Sequence, residues 1–135
     1  MTTVTTDDPL AALVVSARSV DRERLASALD SWARIDPHEN LIRFLPGATE
    51  KGTIKQLILV ALLGQMAINL LADQQREGMT PSELAQCTGV GGSSLRPQLK
   101  ALADGGIVLK NDRGKYVVPS HAFEHARMML EDDDG

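Results

Sequence analysis

At 135 residues, with 43% hydrophobic and 24% charged side chains, the chain is sized for one domain with a single core. Aromatic residues make up only 3%, so the core must be aliphatic, which suits packed helices better than a β-sandwich. A formal charge of −4 excludes a uniformly basic nucleic-acid coating protein, and a single cysteine, Cys87, excludes an intramolecular disulfide.

Residues 1–8 are rich in Thr and Asp and predict a disordered start without the basic region of a signal peptide. With the lone cysteine, this points to a cytoplasmic protein. Asp8-Pro9 suits the cap of a short helix over Leu10 to Ala17, although Leu13-Val14-Val15 fits a strand equally well. Ser19 then caps a predicted helix from Val20 to Ile35, with Leu25, Leu29 and Trp32 at i, i+4, i+7 as its apolar stripe. Asp36-Pro37 ends it. Leu41 to Leu45 reads as a strand stopped by Pro46-Gly47, with the edge of a later ribbon or a second copy of the chain as its pairing partner. Ala48 to Gly52 reads as a linker. Residues 9–52 thus form an N-terminal extension of helix and strand.

Thr53 to Gln75, TIKQLILVALLGQMAINLLADQQ, is the most apolar segment. Lys55, Gln56, Gly64, Gln65 and Asn69 interrupt it, and interfacial aromatic or basic flanks are missing, so it predicts a buried helix and no membrane span. A helix apolar nearly all round needs cover on more than one side. The N-terminal helix, a second subunit, or both would supply it, and the small residues Ala61 and Gly64 would admit a close partner. Gly78 ends the polar stretch that follows.

Thr80-Pro81-Ser82-Glu83 is a helix start: Thr80 as cap, Pro81 at the first position, Glu83 completing a capping box. Leu84 and Ala85 face inward, and Thr88-Gly89-Val90 makes a tight turn with Gly89 left-handed. A second helix begins near Ser93 or Ser94, with Pro97 favouring the later start, and buries Leu95, Leu99 and Leu102 until Gly105-Gly106 stops it. Ile107 to Lys110, the turn Asn111 to Gly114, and Lys115 to Val118 predict a hairpin. A last helix, His121 to about Leu130, precedes an acidic tail at 131–135 that predicts disorder. The tail carries four acids, so the remainder of the chain is near neutral, and Thr80 to Pro119 is about +2.

In this order and spacing, E-L-A-x-x-T-G-V-x-x-S-S-L-x-x-x-L-x-x-L-x-x-x-G-I-V (Glu83 to Val108) resembles the winged helix-turn-helix superfamily, of the MarR-like and ArsR-like kind. The resemblance covers about forty residues, 80–119. It implies a mainly α fold: a winged-helix domain over 53–130 with a long central helix, an extra N-terminal helix and a C-terminal helix. It also implies a dimeric transcriptional regulator that binds double-stranded DNA, with the recognition helix about 93–103 in the major groove and the wing 107–118 on the backbone. Ser93, Ser94, Arg96, Pro97 and Lys100 would then face DNA, with Lys110, Arg113 and Lys115 from the wing. The homodimer would form through helix 53–75 and the N- and C-terminal helices. The superfamily also supplies protein-interaction modules that do not touch DNA, and Pro97 with Gly91-Gly92 suits that alternative, since neither reads a base edge.

His121-Ala122-Phe123-Glu124-His125 matches the H-x-x-E-H zinc string. No catalytic domain surrounds it, so the milder candidate is a metal-sensing site in which His121 and His125 supply two ligands and Glu124 or a residue of another subunit completes the shell. Cys87 reads as a small buried hydrophobe. Gly89-Val90-Gly91-Gly92 lacks the Lys-Ser/Thr of a phosphate-binding loop, and no nucleophile–base arrangement stands out, so the chain predicts neither an enzyme nor a cofactor.

Overall fold

The computed structural model describes residues 22–72 and 78–131. The expectations for the N-terminal start, the helix or strand over 10–17, the end of the long helix beyond Ala72 and the tail beyond Glu131 lie outside the described residues. The described chain is mainly helical. Its elements are α1 (Arg22–Asp30), β1 (Ala33–Asp36), β2 (Leu41–Phe44), α2 (Ala48–Lys51), α3 (Ile54–Ala72), α4 (Pro81–Thr88), α5 (Gly92–Asp104), β3 (Leu109–Lys110), β4 (Tyr116–Val117), a 3-10 turn (Ser120–Ala122) and α6 (Phe123–Glu131).

The predicted helix Val20 to Ile35 is overturned in its last turn. It ends at Asp30, and Ala33–Asp36 pairs antiparallel with Leu41–Phe44, in the register Ala33↔Phe44 to Asp36↔Leu41. The cause is local. Asp36 Oδ1 accepts the amide hydrogens of His38 (3.0 Å) and Glu39 (3.2 Å), and Asn40 takes a left-handed φ of 54°, which closes the chain into a hairpin loop. A nearby partner costs less loop entropy than a distant one, so β2 pairs with β1 and not with the ribbon the sequence reading offered it. Leu25, Leu29 and Trp32 are nonetheless all buried, Trp32 from the turn beyond the helix. The linker at Ala48 to Gly52 is also corrected: Ala48–Lys51 forms a helical turn. A Cβ on Gly52 would stand 2.6 Å from the Trp32 ring, so the glycine makes room for the indole.

Thr53 and Gln56 start α3 reciprocally. The Gln56 amide donates to Thr53 Oγ1 (3.1 Å), and the Thr53 amide donates to Gln56 Oε1 (2.9 Å). Gln56 Nε2 also donates to the Met129 carbonyl (2.9 Å), tying the helix start to α6. From Gln56 to Gln65 every residue is buried. Ile54–Ala72 is long and apolar enough to cross a membrane, but 67% of its most apolar stretch is buried inside the fold. The cover comes from the same chain: α1, β1, β2, α4, α5 and α6 all pack on α3. The close neighbour that Gly64 admits is the hairpin, since a Cβ there would lie 3.0 Å from the Ile42 side chain.

The Thr80–Glu83 capping box is present in both directions, at 3.1 and 2.9 Å. Gly89 ends α4 with φ +79° and donates to the Ala85 carbonyl, and Thr88 Oγ1 bridges from the Leu84 carbonyl (2.8 Å) to the Val90 amide (3.2 Å). The predicted start near Ser93 or Ser94 moves slightly earlier: α5 begins at Gly92, and Pro97 lies inside it without delaying it. Pro97 withholds the bond it would give the Ser93 carbonyl, a cost the helix bears because Leu95, Leu99 and Leu102, each at most 1% exposed, lock it into the core. At the far end the Ile107 amide donates back to the Leu102 carbonyl, and both side chains are buried.

The ribbon is shorter than predicted, Leu109↔Val117 and Lys110↔Tyr116. Asn111 shapes its turn, with Oδ1 accepting from the amides of Arg113 (2.9 Å) and Lys115 (3.0 Å). Met79 adds a third line of pairing that the sequence reading lacks: it exchanges both backbone bonds with Tyr116, at 3.1 and 2.7 Å. Gly78 makes this possible. Its φ is +105°, and a Cβ would stand 2.1 Å from the Tyr116 carbonyl oxygen.

Replacing Leu99 by alanine removes a side chain at 1% exposure from the contact between α5 and α3. The expected loss of unfolding free energy is about 2–5 kcal/mol, read from denaturant melts at unchanged m-value.

Candidate functional site

The exposed face of α5 gathers five of the predicted residues. Ser93, Ser94, Arg96, Pro97 and Lys100 are all exposed, opposite the buried leucines. The helix start is electrostatically open. Its N-cap, Gly91, has no side chain to cap with, and the first turn holds no acidic residue. The Gly91 carbonyl receives the amides of Ser94 (3.1 Å) and Leu95 (2.9 Å), while the first two helical amides, those of Gly92 and Ser93, precede any intrahelical bond. Arg96 Nε lies 3.9 Å from where a Cβ on Gly92 would sit, so the side chain runs back along the helix over Gly92. No ion pair engages Arg96 among the described residues. Lys100 differs: its Nζ is 3.4 Å from Asp104 Oδ2, an exposed i,i+4 pair that salt readily screens.

The ribbon cations divide. Lys110 and Arg113 are exposed on β3 and at the turn. Lys115 is half-buried and turns to the wall of a crevice of about 460 Å³, shared with Asn40, Leu41, Ile42, Gln65, Met79, Glu83, Gln86 and Cys87. Sequence reasoning did not single out this crevice. Its signal was there in part, since Gln65 interrupts an otherwise apolar run, but Asn40 and Lys115 reach it only through the hairpin and the ribbon.

The H-x-x-E-H string does not converge. His121 lies in the 3-10 turn and His125 on α6, both exposed. Glu124 is held by two guanidiniums, Arg127 at 2.8 Å and Arg24 at 2.9 Å. The hydrogen bond from Arg127 first, and that from Arg24 second, hold its carboxyl below the usual carboxylate range. Glu124 therefore joins α1 to α6 electrostatically. Among the described residues no group of three His, Cys, Asp or Glu side chains is placed to hold a metal ion.

Cys87 sits on α4 against the core, and burial pushes its thiol up to about 11. Compared with protein-family models, with characterised proteins and with solved structures, the chain finds no match in any of the three.

A raised thiol pKa leaves little thiolate at neutral pH and slows its reaction with electrophiles. Alkylation of Cys87 by iodoacetamide, followed by intact mass, should accelerate about tenfold per pH unit through the range where an ordinary cysteine levels off, and flatten only near pH 11. A plateau near pH 8.5 would show instead that the thiol stands in water.

Proposed function

We propose that residues 80–119 are a winged helix-turn-helix unit that binds duplex DNA, and that the chain is a transcriptional regulator. In this reading α5 lies in the major groove, and Lys110 and Arg113 on the ribbon meet the flanking backbone. The observation that carries it is the start of α5: two amides ahead of the intrahelical ladder, the exposed Ser93 and Ser94, and Arg96, whose Nε lies near Gly92, all belong to one uncapped helix terminus with no carboxylate in the first turn. Donors of that kind at a helix start match a phosphate oxygen in charge. The order of helix, turn, helix and ribbon supports the same reading, as does the leucine stripe that seats α5 on α3. Lys115 contributes less than the sequence alone suggests, because it faces the crevice.

A specific pair of observations favours the second reading, a winged-helix module that docks on a protein. Pro97 occupies a central exposed position where a base-reading side chain would stand, and Asp104 offsets Lys100.

Fluorescence anisotropy against random-sequence duplex at several salt concentrations separates the two. Under the DNA reading, wild type binds with an affinity that falls linearly in log–log form, and Arg96→Glu/Lys100→Glu protein makes the slope shallower by about one per lost phosphate contact. Absence of binding at low salt would transfer the assignment to the protein-docking module.

The homodimer in this reading uses the apolar groove lined by Leu25, Leu29, Ala33, Ile35, Leu70 and Leu71, since Gln56 to Gln65 of α3 are covered within the chain. Leu71 is 58% exposed. Light scattering should give the mass of two chains for wild type and one for Leu71→Glu; a one-chain mass for wild type sinks the dimer.

A further inference from the structure

We propose that the crevice between α3, α4, the β1–β2 loop and the ribbon binds a small zwitterion of the free amino-acid class. Its volume, about 460 Å³, falls in the range of small-molecule sites, roughly 300–1,000 Å³. A built polar group stands in its wall. Gln65 is only 5% exposed, and its Nε2 donates to Asn69 Oδ1 (3.1 Å) and is 3.5 Å from Asn40 Oδ1. Among the described residues its carbonyl oxygen receives no hydrogen bond. No fully enclosed side-chain oxygen or nitrogen among them lacks a partner, so this oxygen keeps some exposure, and Gln65 stands in the crevice wall. Gln65 and Gly78 also line a neighbouring recess of about 360 Å³.

The charges choose the ligand. Lys115 on the ribbon and Glu83 on α4 line the same crevice, and no salt bridge joins them among the described residues. A simple anion would meet the Glu83 carboxylate, and a simple cation the Lys115 ammonium. A molecule with an ammonium at one end and a carboxylate at the other satisfies both, places an N–H on the Gln65 carbonyl, and leaves its side chain against Ile42 and Met79.

The test uses the full chain without DNA, so it stands or falls apart from the DNA reading. Each proteinogenic amino acid, in free form, is titrated by calorimetry. At least one should bind with one-to-one stoichiometry and raise the melting temperature. Lys115→Ala should weaken that binding about tenfold, Gln65→Leu should abolish it, and the same amino acid blocked as its N-acetyl amide should not compete. Should Gln65→Leu fail to fold by circular dichroism, Lys115→Ala, on a half-buried ribbon position, decides alone. Absence of binding by every amino acid, binding unchanged in Lys115→Ala, or equal binding of the blocked form would each overturn the site.

Discussion

A helix apolar on every side cannot face water, and that constraint on α3 governs the rest of the molecule. With Gln56 to Gln65 continuously buried, no single layer suffices as cover. The chain answers by wrapping it: α1 and the β1–β2 hairpin on one part, α4 and α5 on another, α6 across its start. The two buried glutamines show how narrow the tolerance is. Gln56 is enclosed because its amide and carbonyl serve the Thr53 cap and the Met129 carbonyl, and Gln65 because its amide hydrogens reach Asn69 and Asn40. Both convert a desolvation cost into cross-links between elements distant in sequence.

Seating α5 on that helix explains what its outer face can be. Leu95, Leu99 and Leu102 commit one side of α5 to the core, which leaves Ser93, Arg96, Pro97 and Lys100 in solvent whatever their use. Pro97 is tolerated on the same account: the helix is held by packing rather than by its own hydrogen bonds. The acidic chain is also less uniform than its total charge suggests. The start of α5 carries no carboxylate, whereas Glu124, Arg24 and Arg127 are spent on joining α1 to α6.

Much of the second half was legible in the sequence because its signals are local. Thr80, Pro81 and Glu83 specify a helix start within four residues, Gly89 a left-handed stop, and the three leucines a single face; each appears where the spacing puts it. The first half misled for the same reason inverted. Leu25, Leu29 and Trp32 are a valid core stripe, yet the 3.6-residue spacing does not say that the helix stops at Asp30. What stops it is the Asp36 side chain bonding two downstream amides and Asn40 turning left-handed, which lets Ala33–Asp36 find a partner five residues away. An Asx turn and a helix stripe were both written there, and only their competition in three dimensions chose.

By itself the sequence determined the aliphatic helical character, the buried status of the long apolar segment, and the caps, stops and inward face of residues 80–108, since these depend on contacts within a turn or two of chain. Tertiary structure alone decided that β2 pairs with β1, that Met79 extends the ribbon through Tyr116, that Gly64 receives Ile42, and that Asn40, Gln65, Glu83 and Lys115 share one crevice. Those groups lie up to 75 positions apart. No local periodicity relates them; only the packing of hairpin, helices and ribbon around α3 brings them together.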